Sequence, residues 1–104
     1  MVKKVIYLKI AVADLASIYS YISRDSIKYA KLEVKKIKAF CESLRNQPAK
    51  GRFYQTIKGK DVRAVVFRNY IIFYTYDNNK QISILTVHHH ARLISNNLAF
   101  KDEG

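Results

Sequence analysis

The sequence predicts an α+β domain of order β-α-α-β-β-β, with an N-terminal strand and a helical hairpin packed on a small, mainly antiparallel sheet. Two observations predict this class. Apolar residues between Ala11 and Leu44 recur every three or four positions, which is the period of a helix with one buried side. Beyond Pro48 the pattern changes to the short β-branched and aromatic runs of strands. At 104 residues, the chain is expected to be a single domain, 1–104.

The helical hairpin has the clearest pattern. The first helix is predicted from apolar residues spaced by four, three and four positions, namely Ala11, Leu15, Ile18 and Ile22. The stretch 24–26 interrupts it, and Asp25 or Ser26 can cap a second helix. The apolar stripe of that helix runs from Ile27 to Leu44, with most of its lysines off the stripe. The helix is predicted to end near Asn46, because Pro48 cannot continue it.

Four strands are predicted around this hairpin, at 2–8, 62–67, 70–76 and 81–88. The segment 70–76 is apolar or aromatic on both faces, which suits a central strand. A two-residue turn, Arg68-Asn69, is predicted to join it to the preceding strand, with Asn69 tolerating the positive φ of such a turn.

The last strand and the end of the chain carry weaker signals. Strict alternation places Ile82 and Ile84 on one face of the last strand, and Leu85 and Val87 on the other. The tail 96–104 is expected to be weakly ordered, with at most one helical turn.

Charge is the strongest compositional signal. Lys and Arg total 19 against 8 acidic residues, a formal net charge of +11. This surplus favours a polyanionic partner, which is a nucleic acid, a membrane surface or an acidic protein segment. Cys41 is the only cysteine, so no internal disulfide is possible, and it lies on the buried stripe of the second helix. No stretch is apolar enough to span a bilayer, so a cytoplasmic protein with no membrane partner is expected.

Five short motifs follow one another along the chain. They are A-D-L-x-x-I-x-x-Y-I at 13–22, N-x-P-x-x-G-R at 46–52, G-x-x-x-R at 59–63, Y-x-I-F-Y at 70–74 and I-L-x-V-x-H-x-x-R at 84–92. Each motif alone is short. In order, spacing and predicted elements, together they resemble the ParE/RelE toxin superfamily of type II toxin–antitoxin systems, and more closely its ParE branch.

The resemblance implies a compact toxin held inactive by a cognate antitoxin, whose acidic C-terminal segment folds on the toxin as it binds. An acidic partner fits the positive charge of this chain. In the ParE branch the target is DNA gyrase, and the toxin is a poison rather than an enzyme. In the RelE branch the toxin cleaves mRNA in the ribosomal A site. DNA contact is implied only indirectly, through the antitoxin complex, and no cofactor is implied.

Position 71 distinguishes the two branches. RelE-like enzymes carry an Arg directly after the Tyr of the central strand, where a cation can stabilise the charge on the reacting phosphate. Here that residue is Ile71, which favours the gyrase poison. The endoribonuclease alternative stays open because basic and histidine side chains could converge at one end of the sheet. The catalytic candidates for that alternative are Arg63, His89, His90 and Arg92, with His88 and Arg68 nearby.

Target or anion binding is assigned to seven cations, Lys50, Arg52, Lys58, Lys60, Arg63, Arg68 and Arg92. Lys50, Arg52, Lys58, Lys60 and Arg68 lie between the second helix and the sheet, and only Asp61 offsets their charge. Arg63 and Arg92 have an alternative, structural role in which either pairs with Asp14 or Asp61.

The run His88-His89-His90 is not expected to bind a metal. Successive strand residues point to opposite faces, so three consecutive histidines cannot easily share one ion. His88 is expected to be a half-buried residue at the end of the strand, hydrogen-bonded to the backbone. His89 and His90 are expected at the surface.

Overall fold

The computed structural model describes residues 4–77, 81–92 and 94–100. The described residues form five strands, two helices and two short 3-10 turns. The elements are β1 Lys4–Tyr7, α1 Lys9–Ser23, α2 Ile27–Ser43, β2 Arg52–Ile57, β3 Lys60–Phe67, β4 Tyr70–Tyr76 and β5 Gln81–His89, followed by 3-10 turns at Ile94–Asn96 and Leu98–Phe100.

The strands form one sheet in the order β1-β5-β4-β3-β2. β1 runs parallel to β5, and every other neighbouring pair is antiparallel. The hairpin of α1 and α2 connects β1 to the far edge strand β2, and both helices contribute to the core on one face of the sheet. The predicted α+β class, with a helical hairpin on a mainly antiparallel sheet, is confirmed.

The predicted order lacked one strand. β2 lies between Pro48 and the predicted strand 62–67, so the observed order is β-α-α-β-β-β-β. It is an edge strand that, within the described parts of the chain, pairs only with β3, and its first three residues are exposed. Sequence periodicity did not reveal it, because a strand with little burial on either face does not alternate apolar with polar residues.

Both helices bury most of the apolar stripe that predicted them, but Ile27 at the start of α2 is 59% exposed. Ser26, rather than Asp25, caps α2, since its hydroxyl accepts a hydrogen bond from the Tyr29 N–H at 3.1 Å. Cys41 is free and fully buried, and burial raises the pKa of its thiol to about 12. Neither described helix is long and apolar enough to cross a membrane.

β4 carries the core on both faces, as predicted for a central strand. Its first, third and fifth residues join the cluster beneath the helices. Phe73 points the other way, where its ring centroid lies 4.9 Å from that of Tyr54 and 4.7 Å from that of Phe100. Phe100 belongs to the predicted tail 96–104, so part of that tail covers the second face of the sheet. Residues 101–104 lie outside the described residues.

A bulge in β5 corrects the predicted faces of that strand. Phe73 pairs with Thr86 and Tyr74 pairs with Ile84, so Leu85 is an extra residue in the ladder. The extra residue reverses the alternation, and Val87 therefore joins Ile84 in the core beneath the helices instead of facing away from it. The sequence pattern could not locate this bulge, because apolar residues both precede and follow Leu85 along the strand.

The turn between β3 and β4 has two residues, as predicted, but Arg68 and not Asn69 takes the positive φ. Its φ is 56°, and no positive φ is found at Asn69. Positive φ at the first central position alone is the pattern of a type II′ turn, whereas the prediction placed it at the second. The other two-residue turn, Lys58-Gly59, has positive φ at both positions, as in type I′.

Candidate functional site

The connection between α2 and β2 is fixed by the buried hydroxyl of Tyr74. This hydroxyl donates a hydrogen bond to the Pro48 carbonyl at 2.7 Å and accepts one from the Gly51 N–H at 2.9 Å. The Arg63 guanidinium donates to the Gly51 carbonyl at 2.8 Å. Burial raises the pKa of Tyr74, so its hydroxyl keeps the proton that it donates. Three motifs distant in sequence, 46–52, 59–63 and 70–74, therefore meet at one place.

This contact gives Arg63 a structural role. Its guanidinium also lies over the ring of Tyr76, 5.9 Å from the centroid. The pairing with Asp14 or Asp61 is not found among the ion pairs of the described residues; Asp61 instead accepts a hydrogen bond from the Thr56 hydroxyl at 3.1 Å. The charge of Arg63 is therefore directed at the backbone of the 48–51 connection.

The cations assigned to anion binding do not form one cluster. Lys58 and Lys60 lie at the turn between β2 and β3, and the Lys60 amine is 4.0 Å from Asp77. Arg68 follows the opposite end of β3, about 23 Å away at ~3.3 Å per strand residue. Its guanidinium is 3.3 Å from the carboxylate of Glu33 on α2. These cations are close in sequence, but Arg68 is separated from Lys58 and Lys60 by the length of β3.

Lys50 and Arg52 flank the start of β2. The Lys50 amine lies 5.4 Å from the ring centroid of Phe40, which itself stacks on Phe67. Arg52 is exposed and pairs across the ladder with Ala64. Lys58 follows the other end of β2, in the turn to β3.

The histidine run is divided between environments, as the sequence predicted. His88 is buried, and its Nε2 lies 2.9 Å from the Arg92 carbonyl. His89 and His90 are exposed, and their rings stack with centroids 5.7 Å apart. Within the described parts of the chain, no group of three His, Cys, Asp or Glu residues is placed to hold a metal ion.

Three of the four candidates for RNA cleavage lie together. The Arg92 N–H donates to the His89 carbonyl at 3.0 Å, and the His90 N–H donates to the Asn69 carbonyl at 3.0 Å. Arg63 lies elsewhere, because it pairs with Tyr74 while His89 pairs with Tyr70, four positions away along β4. That spacing corresponds to about 13 Å.

A polar network around Asp14 was not predicted. Its carboxylate accepts hydrogen bonds from the Thr86 hydroxyl and, at 2.9 Å, from the Val87 N–H. The Asn97 amide nitrogen donates to the Thr86 hydroxyl at 3.0 Å and lies 2.9 Å from His88 Nδ1. Burial raises the pKa of Asp14, partly opposed by these hydrogen bonds and by Arg92. The available signal was the acidic residue Asp14 between two apolar residues in the helix motif A-D-L.

Two adjoining cavities flank Arg92. One, of about 470 Å³, lies between α1 and the C-terminal turns, and the other, of about 350 Å³, lies between α1 and the end of β5. Both are lined by Asp14, Val87, His89 and Arg92. Arg92 therefore borders both surface cavities.

Comparison with known proteins identifies the family. The model of the ParE toxin of type II toxin–antitoxin systems, parDE, matches residues 5–94. The chain belongs to the ParE toxin family. A solved chain described as the chromosomal ParDE TA system from P. aeruginosa is similar in fold, with a TM-score of 0.68 and 22% identity over 86% of this chain and 96% of that chain. A comparison with curated proteins gives no match.

In this ParE family member, position 71 is flanked by one apolar residue and one buried histidine. Ile71 lies half-buried on the face of the sheet away from the helices, with Val66 and His88 as its neighbours across the two ladders. Val66 is exposed, whereas His88 is buried. No exposed cation therefore lies directly beside Ile71 on the neighbouring strands.

Proposed function

We propose that this chain is the growth-inhibiting toxin of a type II toxin–antitoxin module, that it poisons DNA gyrase in the cytoplasm, and that an acidic antitoxin neutralises it. The family match over residues 5–94 carries the toxin assignment. The gyrase assignment is supported by Ile71 in place of the catalytic Arg, and by Arg63, whose guanidinium hydrogen-bonds the Gly51 carbonyl. The net charge of +11 supports an acidic antitoxin.

Purified toxin is expected to block the supercoiling of relaxed plasmid by purified gyrase. If it acts as a poison, cleaved plasmid accumulates with gyrase, because the enzyme is trapped with its DNA broken. Gel electrophoresis of the plasmid topoisomers measures both effects, and an RNA added to the same reaction should stay intact. Normal supercoiling at saturating toxin contradicts the proposal.

The alternative function is ribosome-dependent mRNA cleavage. The observation in its favour is that His89, His90 and Arg92 lie together at the end of β5, where imidazoles can transfer protons near neutral pH. Primer extension on mRNA from translating ribosomes tests it, with His89→Ala and His90→Ala as variants. Cuts in the A-site codon that disappear in these variants favour the enzyme. Arg63→Ala is a poor variant here, because it also frees the Gly51 carbonyl.

A further inference from the structure

The cavity of about 350 Å³ between α1 and the end of β5 is lined by aromatic rings from three elements. Tyr21 comes from α1, Tyr70 from β4 and His89 from β5. We propose that this cavity, called here the aromatic cavity, binds a nucleotide, with its base against these rings and its phosphate on Arg92. The inference goes beyond the proposed function and does not depend on the identity of the toxin's target.

The β5 side of the aromatic cavity is a fixed aromatic wall. The His89 ring lies edge-on to buried Tyr70, with centroids 5.6 Å apart, and stacks on His90. The Ala91 N–H donates to His89 Nδ1 at 3.2 Å, so in the neutral ring Nε2 carries the proton and is a donor for a ligand. These contacts orient the ring before a ligand arrives, which lowers the entropic cost of binding.

The α1 side carries a ring that contributes little to the core. Tyr21 is 70% exposed although it lines the aromatic cavity, and the Arg24 guanidinium lies 5.8 Å from its centroid. Exposed aromatic rings next to cations are the surfaces on which nucleic-acid bases stack, because every base has an aromatic face. A base in the aromatic cavity therefore meets rings from both α1 and β5.

Two charged side chains of the aromatic cavity are open to a ligand. Within the described parts of the chain, Arg92 takes part in no ion pair. Asp14 accepts its hydrogen bonds from Thr86 and Val87 through Oδ2 alone. None of the described residues has a buried side-chain oxygen without a partner, so the other oxygen, Oδ1, is accessible.

This pair of charges favours a nucleotide over a bare anion. Arg92 can bind a phosphate, whereas the carboxylate of Asp14 repels an anion that offers no hydrogen-bond donor. A nucleotide supplies both kinds of group, since its base amino group or sugar hydroxyl can donate to Asp14 while its phosphate contacts Arg92. Both residues also line the adjoining cavity of about 470 Å³, which gives the sugar and phosphate room.

A free nucleotide and one nucleotide of a single strand present the same chemistry, and separate probes distinguish them. NMR titration of the purified toxin with AMP, adenosine and inorganic phosphate tests the free ligand. Fluorescence anisotropy with a short labelled oligonucleotide tests the strand, and its duplex is the comparison because its bases are paired and stacked. We expect AMP to bind more tightly than adenosine or phosphate, and to shift the amide signals of His89, Ala91 and Arg92.

Tyr21→Ala tests the stacking contact. It should raise the Kd for AMP or for the single strand about tenfold and leave duplex binding unchanged, since the net charge of +11 attracts any polyanion. Tyr29→Ala is the matched control, because Tyr29 is 68% exposed on α2 and does not line the aromatic cavity. It should bind like the wild type. The exposure of both rings means that neither change disturbs the core.

Arg92→Gln tests the phosphate contact. It should raise the Kd for AMP about tenfold and change the Kd for adenosine little, whereas Arg45→Gln, which removes the same charge at the end of α2, should change neither. Binding of the oligonucleotide but not of AMP, weakened by Tyr21→Ala, identifies a strand as the ligand and supports the aromatic cavity.

Three results would overturn the inference. They are phosphate binding as tight as AMP binding, equal affinities in Tyr21→Ala and Tyr29→Ala, and absence of binding by AMP and the single strand alike. Each leaves the toxin assignment intact, because inhibition of gyrase is measured separately. Conversely, a toxin that binds AMP through Tyr21 and Arg92 but leaves supercoiling normal supports the aromatic cavity and contradicts only the proposed target.

Discussion

Gly51→Ala is expected to lower the free energy of unfolding by about 2–4 kcal/mol. A Cβ at this position would lie 2.9 Å from Tyr74 Cε1, 3.0 Å from the Tyr74 hydroxyl oxygen and 3.1 Å from the Ala64 carbonyl oxygen. Tyr74 is fully buried, so its ring cannot move aside without disturbing the core. Any shift also breaks the hydrogen bond between Gly51 and Tyr74. Urea denaturation followed by circular dichroism measures the change.

Gly59→Ala is the matched control. Its Cβ would meet nothing within 4 Å, but Gly59 has a φ of +79°, which alanine adopts at a cost of about 1–2 kcal/mol. The two substitutions therefore separate a steric effect from a conformational one. Equal losses at the two positions would contradict the tight contact inferred at Gly51. Tyr74→Phe should reproduce part of the Gly51 effect, since it removes both hydrogen bonds and leaves the ring.

The elements that the sequence predicted are those with a strong periodic signal. α2 buries one side and exposes the other, so its apolar stripe can be recognised in the sequence without knowledge of the sheet. β4 is apolar on both faces because helices cover one side, and Tyr54 and Phe100 cover the other. Local pattern and tertiary environment agree in both elements, and the prediction succeeded for that reason.

The elements that the sequence missed depend on distant contacts. β2 is defined by hydrogen bonds to β3 rather than by its own pattern. The bulge at Leu85 is a property of the β4–β5 ladder, and neither strand alone signals it. Asn97 was assigned to a weakly ordered tail. Its side-chain nitrogen nevertheless donates to the Thr86 hydroxyl, and its side-chain oxygen accepts from the Ala99 N–H at 2.9 Å.

The candidate site divides in the same way. The resemblance of short motifs gave the family, and the family model matches over 5–94. The sequence could not show that the Arg63 guanidinium donates a hydrogen bond to the Gly51 carbonyl. Nor could it show that Arg68 forms an ion pair with Glu33 of α2. Residues close in sequence lie at opposite ends of β3, since a strand of this length spans most of a small sheet. The positions of these charges in space could therefore be known only from the folded structure.

Asp14→Ala is expected to lower the free energy of unfolding by about 2–3 kcal/mol. The carboxylate accepts from the Val87 N–H at a point on β5 beyond the last partner of β1, which is Tyr7 opposite Ile84. Removal of the carboxylate leaves that N–H without a protein acceptor, and the Thr86 hydroxyl loses one of its two partners. Denaturation at neutral pH measures the loss. Ser17→Ala, one turn further along α1, is the control and should change stability little.

Asp14→Asn keeps the shape of the side chain and removes its charge. We expect the difference in stability between this variant and the wild type to depend on pH. The amide oxygen can still accept from Val87, so this variant should lose less stability than Asp14→Ala. Burial raises the pKa of Asp14 in the folded state above its unfolded value near 3.9. Between those two pKa values, the native carboxyl binds more protons than the unfolded one, so the stability that Asp14 contributes falls as pH rises through that window.

The quantity to follow is the difference in free energy of unfolding between the wild type and Asp14→Asn, because the contributions of all other titrating groups are common to both proteins and drop out. It should favour the wild type most at the acidic end of the window and decrease as the carboxyl ionises, then stay constant at higher pH. A difference that instead grows with pH would mean that the hydrogen bonds from Thr86 and Val87, together with Arg92, outweigh burial. In that case the network at Asp14 stabilises the ionised form, and the cavity beside Arg92 is better solvated than its lining indicates.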